Sequence, residues 1–190
     1  MAKLKIITGS NRPGRFNPQP TAWIEKIAKA MPGVEVEVLD LAEINLPFLD
    51  ETKPPMYGQY DHEHTRAWAA KVAEADGFVF VTPEYNHTYP AVLKNAIDYL
   101  FSEWNYKPVA FVSYGAVSGG MRAADHLRTL ASVLNMFALR EQVLIPNYWG
   151  GLNEAGEYQF TKEQDDAASE MLTKLAFWAE EMKSSRVKLG

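Results

Sequence analysis

The sequence predicts a single α/β domain, residues 1–190, built on a doubly wound parallel sheet. Three observations carry that expectation. Strand-like and helix-like stretches alternate along the chain, which is the order of βα units. Runs such as Gly77-Phe78-Val79-Phe80-Val81 have no polar alternate face, so they suit strands covered by helices on both sides. The 190 residues, 47% hydrophobic and 23% charged, match the size and composition of one ordinary globular core.

The first strand is expected over residues 4–8, followed by a helix with 3.6-residue spacing over 20–30 and a second strand over 34–39. The loop 40–62 carries Pro47, Pro54, Pro55, Tyr57 and Tyr60 and is too long for an idle connection, so it reads as a lid, an interface arm or both. A helix over 63–75 leads to a third strand at 77–82, a helix over 90–101 to a fourth at 109–114, and a helix over 120–137 to a fifth at 141–145, the least regular of the five. A second long loop, 146–158, precedes the last helix, 161–183. Five such units give the flavodoxin-like strand order 2-1-3-4-5, in which a ligand lies beyond the carboxyl ends of strands 1 and 3.

Composition removes several function classes. The formal charge of -5 disfavours a phosphate-backbone footprint and hence a nucleic-acid partner. With no cysteine there is no disulfide, thiolate nucleophile or cysteine-based metal site. No run reaches the roughly 18 to 20 apolar residues of a membrane span. Met1-Ala2-Lys3 passes straight into the first strand, so the expectation is a soluble, cytoplasmic protein with no membrane partner.

The first strand ends in Thr8-Gly9-Ser10-Asn11-Arg12-Pro13-Gly14-Arg15-Phe16-Asn17, just before a helix. That placement presents backbone N–H groups and the positive end of a helix dipole to an anion. Ser10, Asn11 and Asn17 add short donors, and Arg12 and Arg15 add guanidinium groups suited to phosphate oxygens. Neither GxxxxGK[ST] nor GxGxxG is present, which leaves a mononucleotide phosphate. After strand 3, Pro83, Tyr85 and Asn86 offer an apolar wall and donors for a flat ring, with Glu84 between them. After strand 4, Ser113-Tyr114-Gly115 and Ser118-Gly119-Gly120 offer backbone N–H groups that glycine leaves unobstructed.

On these residues the sequence resembles the NADPH-dependent FMN reductase family, the flavodoxin-like quinone, chromate and azo-dye reductases. Gly9-Ser10-Asn11-Arg12 is similar to its phosphate motif. Pro83-Glu84-Tyr85-Asn86 is similar to its flavin motif, and Leu93-Lys94-Asn95-Ala96-Ile97-Asp98 continues the likeness. The resemblance implies noncovalent FMN held by Ser10, Asn11, Arg12, Arg15, Phe16, Asn17, Pro83, Glu84, Tyr85, Asn86, Ser113, Tyr114, Gly115, Gly119 and Gly120. It also implies NADPH or NADH as co-substrate, a quinone, free flavin, azo dye or metal oxyanion as acceptor, and a homodimer or homotetramer. The family often has serine where Arg15 stands, so Arg15 sits either on the phosphate or toward the nicotinamide dinucleotide.

Hydride passes at flavin N5, so side-chain acid or base has little to do and no catalytic residue is assigned. His87, after Asn86 in the flavin loop, could touch substrate or donate a proton, but a loop-packing role is the preferred reading. The chain has no GxSxG elbow, and His62-Glu63-His64 lacks an evident third ligand, so hydrolase and metal readings fall away. Trp104, Trp149, Trp178, Met121 and Met136 could line a substrate cleft, but aromatic and Met residues at helical spacing are more often core or interface, so they stay unassigned. The competing readings are a flavodoxin-like electron carrier and a flavin-binding redox-sensing interaction module.

Overall fold

The computed structural model describes residues 1–189. Its five strands, β1 (Ala2–Thr8), β2 (Val34–Asp40), β3 (Gly77–Pro83), β4 (Pro108–Gly115) and β5 (Phe137–Pro146), pair in parallel in the order β2-β1-β3-β4-β5. This is the order that the alternation of elements predicts. The helices are α1 (Pro18–Lys29), α2 (Leu41–Ile44), α3 (Glu63–Ala73), α4 (Ala91–Asp98), α5 (Met121–Val133) and α6 (Lys162–Leu189).

Strand side chains alternate between two cores, as the pleat requires. Ile7, Phe78, Phe80, Val109 and Phe111 face Trp68, Leu93, Ile97 and Leu127 of α3, α4 and α5. Leu4, Ile6, Val79, Val81, Ala110 and Val112 face Ile24 of α1 and Met171, Leu172 and Leu175 of α6. Two large indoles are buried without leaving a donor unpaired, since Trp68 Nε1–H donates to the Ala96 carbonyl at 2.8 Å and Trp104 Nε1–H to the Ile97 carbonyl at 3.1 Å. Trp104 and Met136 are therefore core residues.

The largest departure from the sequence reading is at the α5–β5 boundary. A helix over 120–137 is expected, but α5 stops at Val133 and β5 begins at Phe137. Asn135 takes a left-handed conformation, φ 52°, and the Met136 N–H reaches back to the Ala131 carbonyl at 2.8 Å while that of Asn135 reaches Ser132 at 3.3 Å. That pair of bonds is a Schellman termination with Asn in place of Gly. The loop 40–62 also holds more structure than expected, namely α2, capped by the Asp40 carboxylate at the Ala42 N–H (3.0 Å), and a single 3-10 turn at Pro55–Tyr57.

Register brings the carboxyl ends together. Thr8 lies opposite both Asp40 and Val81, Pro83 opposite Tyr114, and Gly115 opposite Pro146. Five loops therefore leave one edge of the sheet, with the switch point between β1 and β3.

Candidate functional site

A cleft of about 320 Å³ opens on that edge, lined by Arg12, Gly14, Arg15, Phe16, Pro83, Glu84, Tyr85, Tyr114, Gly115, Ala116, Tyr148 and Trp149. The loop after β1 forms one wall. Its turn is closed by the Arg15 N–H on the Arg12 carbonyl at 3.1 Å, with Pro13 leading and Gly14 at φ 67°, the residue pair a type II turn requires. The N–H groups of Asn11, Gly14, Phe16 and Asn17 donate to no described protein atom, although Phe16 and Asn17 are buried. Buried backbone donors are nearly always paired, so those of Phe16 and Asn17 are open to an acceptor from outside the chain, while Asn11 and Gly14 are exposed. Arg12 is exposed and has no ion-pair partner among the described residues.

Three residues expected on the phosphate face inward. Asn17 is fully buried, its amide donating to the Val81 carbonyl at 2.8 Å and accepting from the Tyr114 hydroxyl. It ties the loop to β3 and β4 through its side chain and offers a ligand its backbone. Arg15 donates to the Ser10 carbonyl and to Asp40 Oδ2 at 2.6 Å. Its charge is thus opposed by a carboxylate, and it braces the loop against the end of β2. Ser10 is likewise buried, with its Oγ within 3.1 Å of the Tyr85 hydroxyl, a bond that joins the first loop to the one after β3. Asn11 is exposed and lines a separate depression with Leu46, Phe48, Ala91, Val92 and Asn95.

The loop after β3 is a two-residue turn. Tyr85 and Thr88 exchange backbone bonds at 2.8 and 3.0 Å, with Asn86 (φ 49°) and His87 (φ 69°) at the tip. Two successive left-handed residues define a type I′ turn. Pro83, Glu84 and Tyr85 reach the cleft, whereas Asn86 and His87 are exposed and outside its lining.

The Glu84 carboxylate accepts from Ser118 Oγ at 2.8 Å, from the Arg122 backbone N–H at 3.1 Å and from its guanidinium at 2.9 Å. Desolvation raises this carboxyl, but the bonds from Ser118 and Arg122 outweigh it and hold its pKa below the ordinary value. One side chain thus clamps the loop after β3 to the loop after β4. The latter also folds onto itself, with Ser113 Oγ donating to the Gly119 carbonyl at 3.0 Å. Tyr114 closes the floor of the cleft, its hydroxyl pKa raised by burial.

Sequence reasoning missed three contributors. Tyr148 stacks on Phe16 with centroids 4.4 Å apart and planes at 20°, Trp149 stands beside it at the rim, and Asp40 holds Arg15. All three follow from one available signal, since they sit at or just beyond the carboxyl ends of β5 and β2, on the edge where the ligand is expected.

Fold and site together define a flavodoxin-like α/β protein with an open cleft at the carboxyl edge of its sheet, beside the β1/β3 switch point. The chain belongs to the NADPH-dependent FMN reductase family, whose pattern matches residues 2–150. Membership makes FMN the bound group and a nicotinamide coenzyme the reductant. The chain is 45% identical over 136 residues, 70% of this chain and 68% of the relative, to an NAD(P)H-dependent FMN reductase of Schizosaccharomyces pombe. It is 35% identical over 158 residues, 79% of each chain, to a quinone reductase of Escherichia coli. Among solved structures, the flavoenzyme NAD(P)H:(acceptor) oxidoreductase of Paracoccus denitrificans superimposes with a TM-score of 0.76 over 96% of this chain and 99% of that one at 19% identity, a likeness of fold.

Proposed function

We propose that this chain is a cytoplasmic, homo-oligomeric reductase that binds FMN in the cleft and passes hydride from NADPH or NADH to a quinone or similar small acceptor. The observation that carries the reading is the set of unpaired backbone N–H groups at Asn11, Gly14, Phe16 and Asn17, with Arg12 beside them, at the β1/β3 switch point. These groups and Arg12 hold the phosphate. Pro83, Glu84 and Tyr85 on one side and Tyr114, Gly115 and Ala116 on the other bound the space for the ring. FMN, when bound, supplies the hydride chemistry. The chain supplies orientation, and His87 lies outside the cleft lining.

An oligomer is supported by Phe48, Met56 and Tyr57, which are 85%, 62% and 63% exposed on the loop before α3, Phe48 lining the depression shared with α4. Light scattering at micromolar concentration is expected to give a dimer or tetramer, and a monomer would remove that part.

Purified protein should show flavin absorbance or take up added FMN one to one. Anaerobic NADPH or NADH should bleach it, and a quinone should restore the colour. Protein that takes up no FMN overturns the reading, and bound FMN that neither coenzyme bleaches reduces it to an electron carrier.

A further inference from the structure

Trp149 is an anomaly at the mouth of the cleft. Its indole is 55% exposed, and its one ring contact is an edge contact with Tyr148 at 5.3 Å and 68°, so no described ring stacks on its face. Its Nε1–H donates to no described atom, a state it shares with the exposed Trp178, whereas the N–H groups of Trp23, Trp68 and Trp104 all have acceptors. Nor is it a side chain on a loose segment. The 3-10 turn Tyr148–Gly151 is pinned by the Asn147 N–H on the Ala116 carbonyl at 3.0 Å, the Gly150 N–H on the Asn147 carbonyl at 2.8 Å and the Gln159 N–H on the Gly151 carbonyl at 3.0 Å. On the loop after β4, Val117, the neighbour of the lining residue Ala116, is 85% exposed. A rigidly mounted, half-exposed indole that lines a cleft and carries no stacked ring is shaped to receive a flat one.

We propose that Trp149 is a specificity-determining residue: its indole is the stacking platform for planar aromatic acceptors of the quinone class, and it favours them over compact inorganic acceptors. This rests on the FMN reductase reading above. An aromatic contact contributes about 0.5 to 1.5 kcal/mol beyond area burial, so its loss weakens a quinone roughly three- to tenfold.

The test compares FMN-loaded wild type, Trp149→Ala and Trp149→Phe. Calorimetric titration of each oxidised protein with menadione reads binding directly, and steady-state KM is measured for menadione and for ferricyanide, which is not planar. In Trp149→Ala menadione binding and KM weaken roughly three- to tenfold while the ferricyanide KM stays put, and Trp149→Phe restores most of the difference. Unchanged menadione binding overturns the proposal. So does a rise confined to the NADPH or NADH KM, which makes the platform a coenzyme site, weakened FMN binding, which makes it part of the flavin site, or a smaller assembly, which makes it a subunit interface. Wild-type protein that takes up no FMN defeats the underlying reading before any variant is compared, so the two failures are distinct.

Discussion

The loops that leave β1 and β4 both read as glycine-bearing ligand cradles, yet one faces outward and the other inward. In the first, Gly14 has φ 67° and a Cβ placed on it meets nothing within 4 Å, while neighbouring N–H groups stay unpaired. In the second, Gly120 has φ 86° and a Cβ would come within 2.6 Å of Ser113 Cβ and 2.7 Å of the Tyr114 nitrogen. There the close neighbour is the chain's own backbone. Glycine in a loop after a strand therefore marks close approach without saying what approaches, and the fate of the backbone donors decides it.

Substitution by alanine breaks the comparison most sharply. Gly120→Ala adds a backbone clash to an unfavourable φ and should cost about 4 kcal/mol, whereas Gly14→Ala carries the φ penalty alone, roughly 1 to 2 kcal/mol. Urea denaturation of the FMN-free proteins measures both. Equal losses would mean that the two loops are alike after all.

Asn17 tests the hidden part of the outward loop. Asn17→Ala leaves the buried Tyr114 hydroxyl without its acceptor, while the Val81 carbonyl keeps the Gly9 N–H at 2.8 Å. The expected loss of stability is about 2 to 3 kcal/mol. Arg12→Ala should do the reverse, leaving the FMN-free protein within about 0.5 kcal/mol of wild type but weakening FMN on the order of tenfold to a hundredfold through the lost charge-assisted bond. Fluorescence titration with FMN reads the second effect.

This division also explains what the sequence could disclose. Strand order and the two motif-bearing loops were legible because they rest on local pattern, apolar runs closed by Gly, Pro and Asn. The roles of individual side chains were not, because their partners are remote. Asn17 meets Val81 and Tyr114, 64 and 97 residues away, and Arg15 meets Asp40, 25 residues away. Both look like phosphate donors in isolation, and only the register of β1, β2, β3 and β4 turns them into braces. The early end of α5 was partly legible, since Asn135 is a residue type that closes helices in the left-handed conformation. Tyr148 and Trp149 belong to no motif and were reachable by topology alone.

Glu84 sharpens the comparison with the smallest effect, because it asks whether the inward loop is held by charge or by shape. Glu84→Gln keeps the volume but presents an amide to the Arg122 guanidinium, so the loop after β4 should loosen at a cost of about 1 kcal/mol, Arg122 being half exposed. The pH dependence has a definite sign. The folded carboxyl titrates below its unfolded value of 4.5, so its contribution is fully present above that value and disappears as pH falls through the folded pKa. Denaturation of wild type and Glu84→Gln should therefore differ by a constant amount near neutrality and converge on acidification, groups common to both cancelling. A difference that persists unchanged into acid would mean that the carboxylate's shape, and not its charge, holds the two loops together.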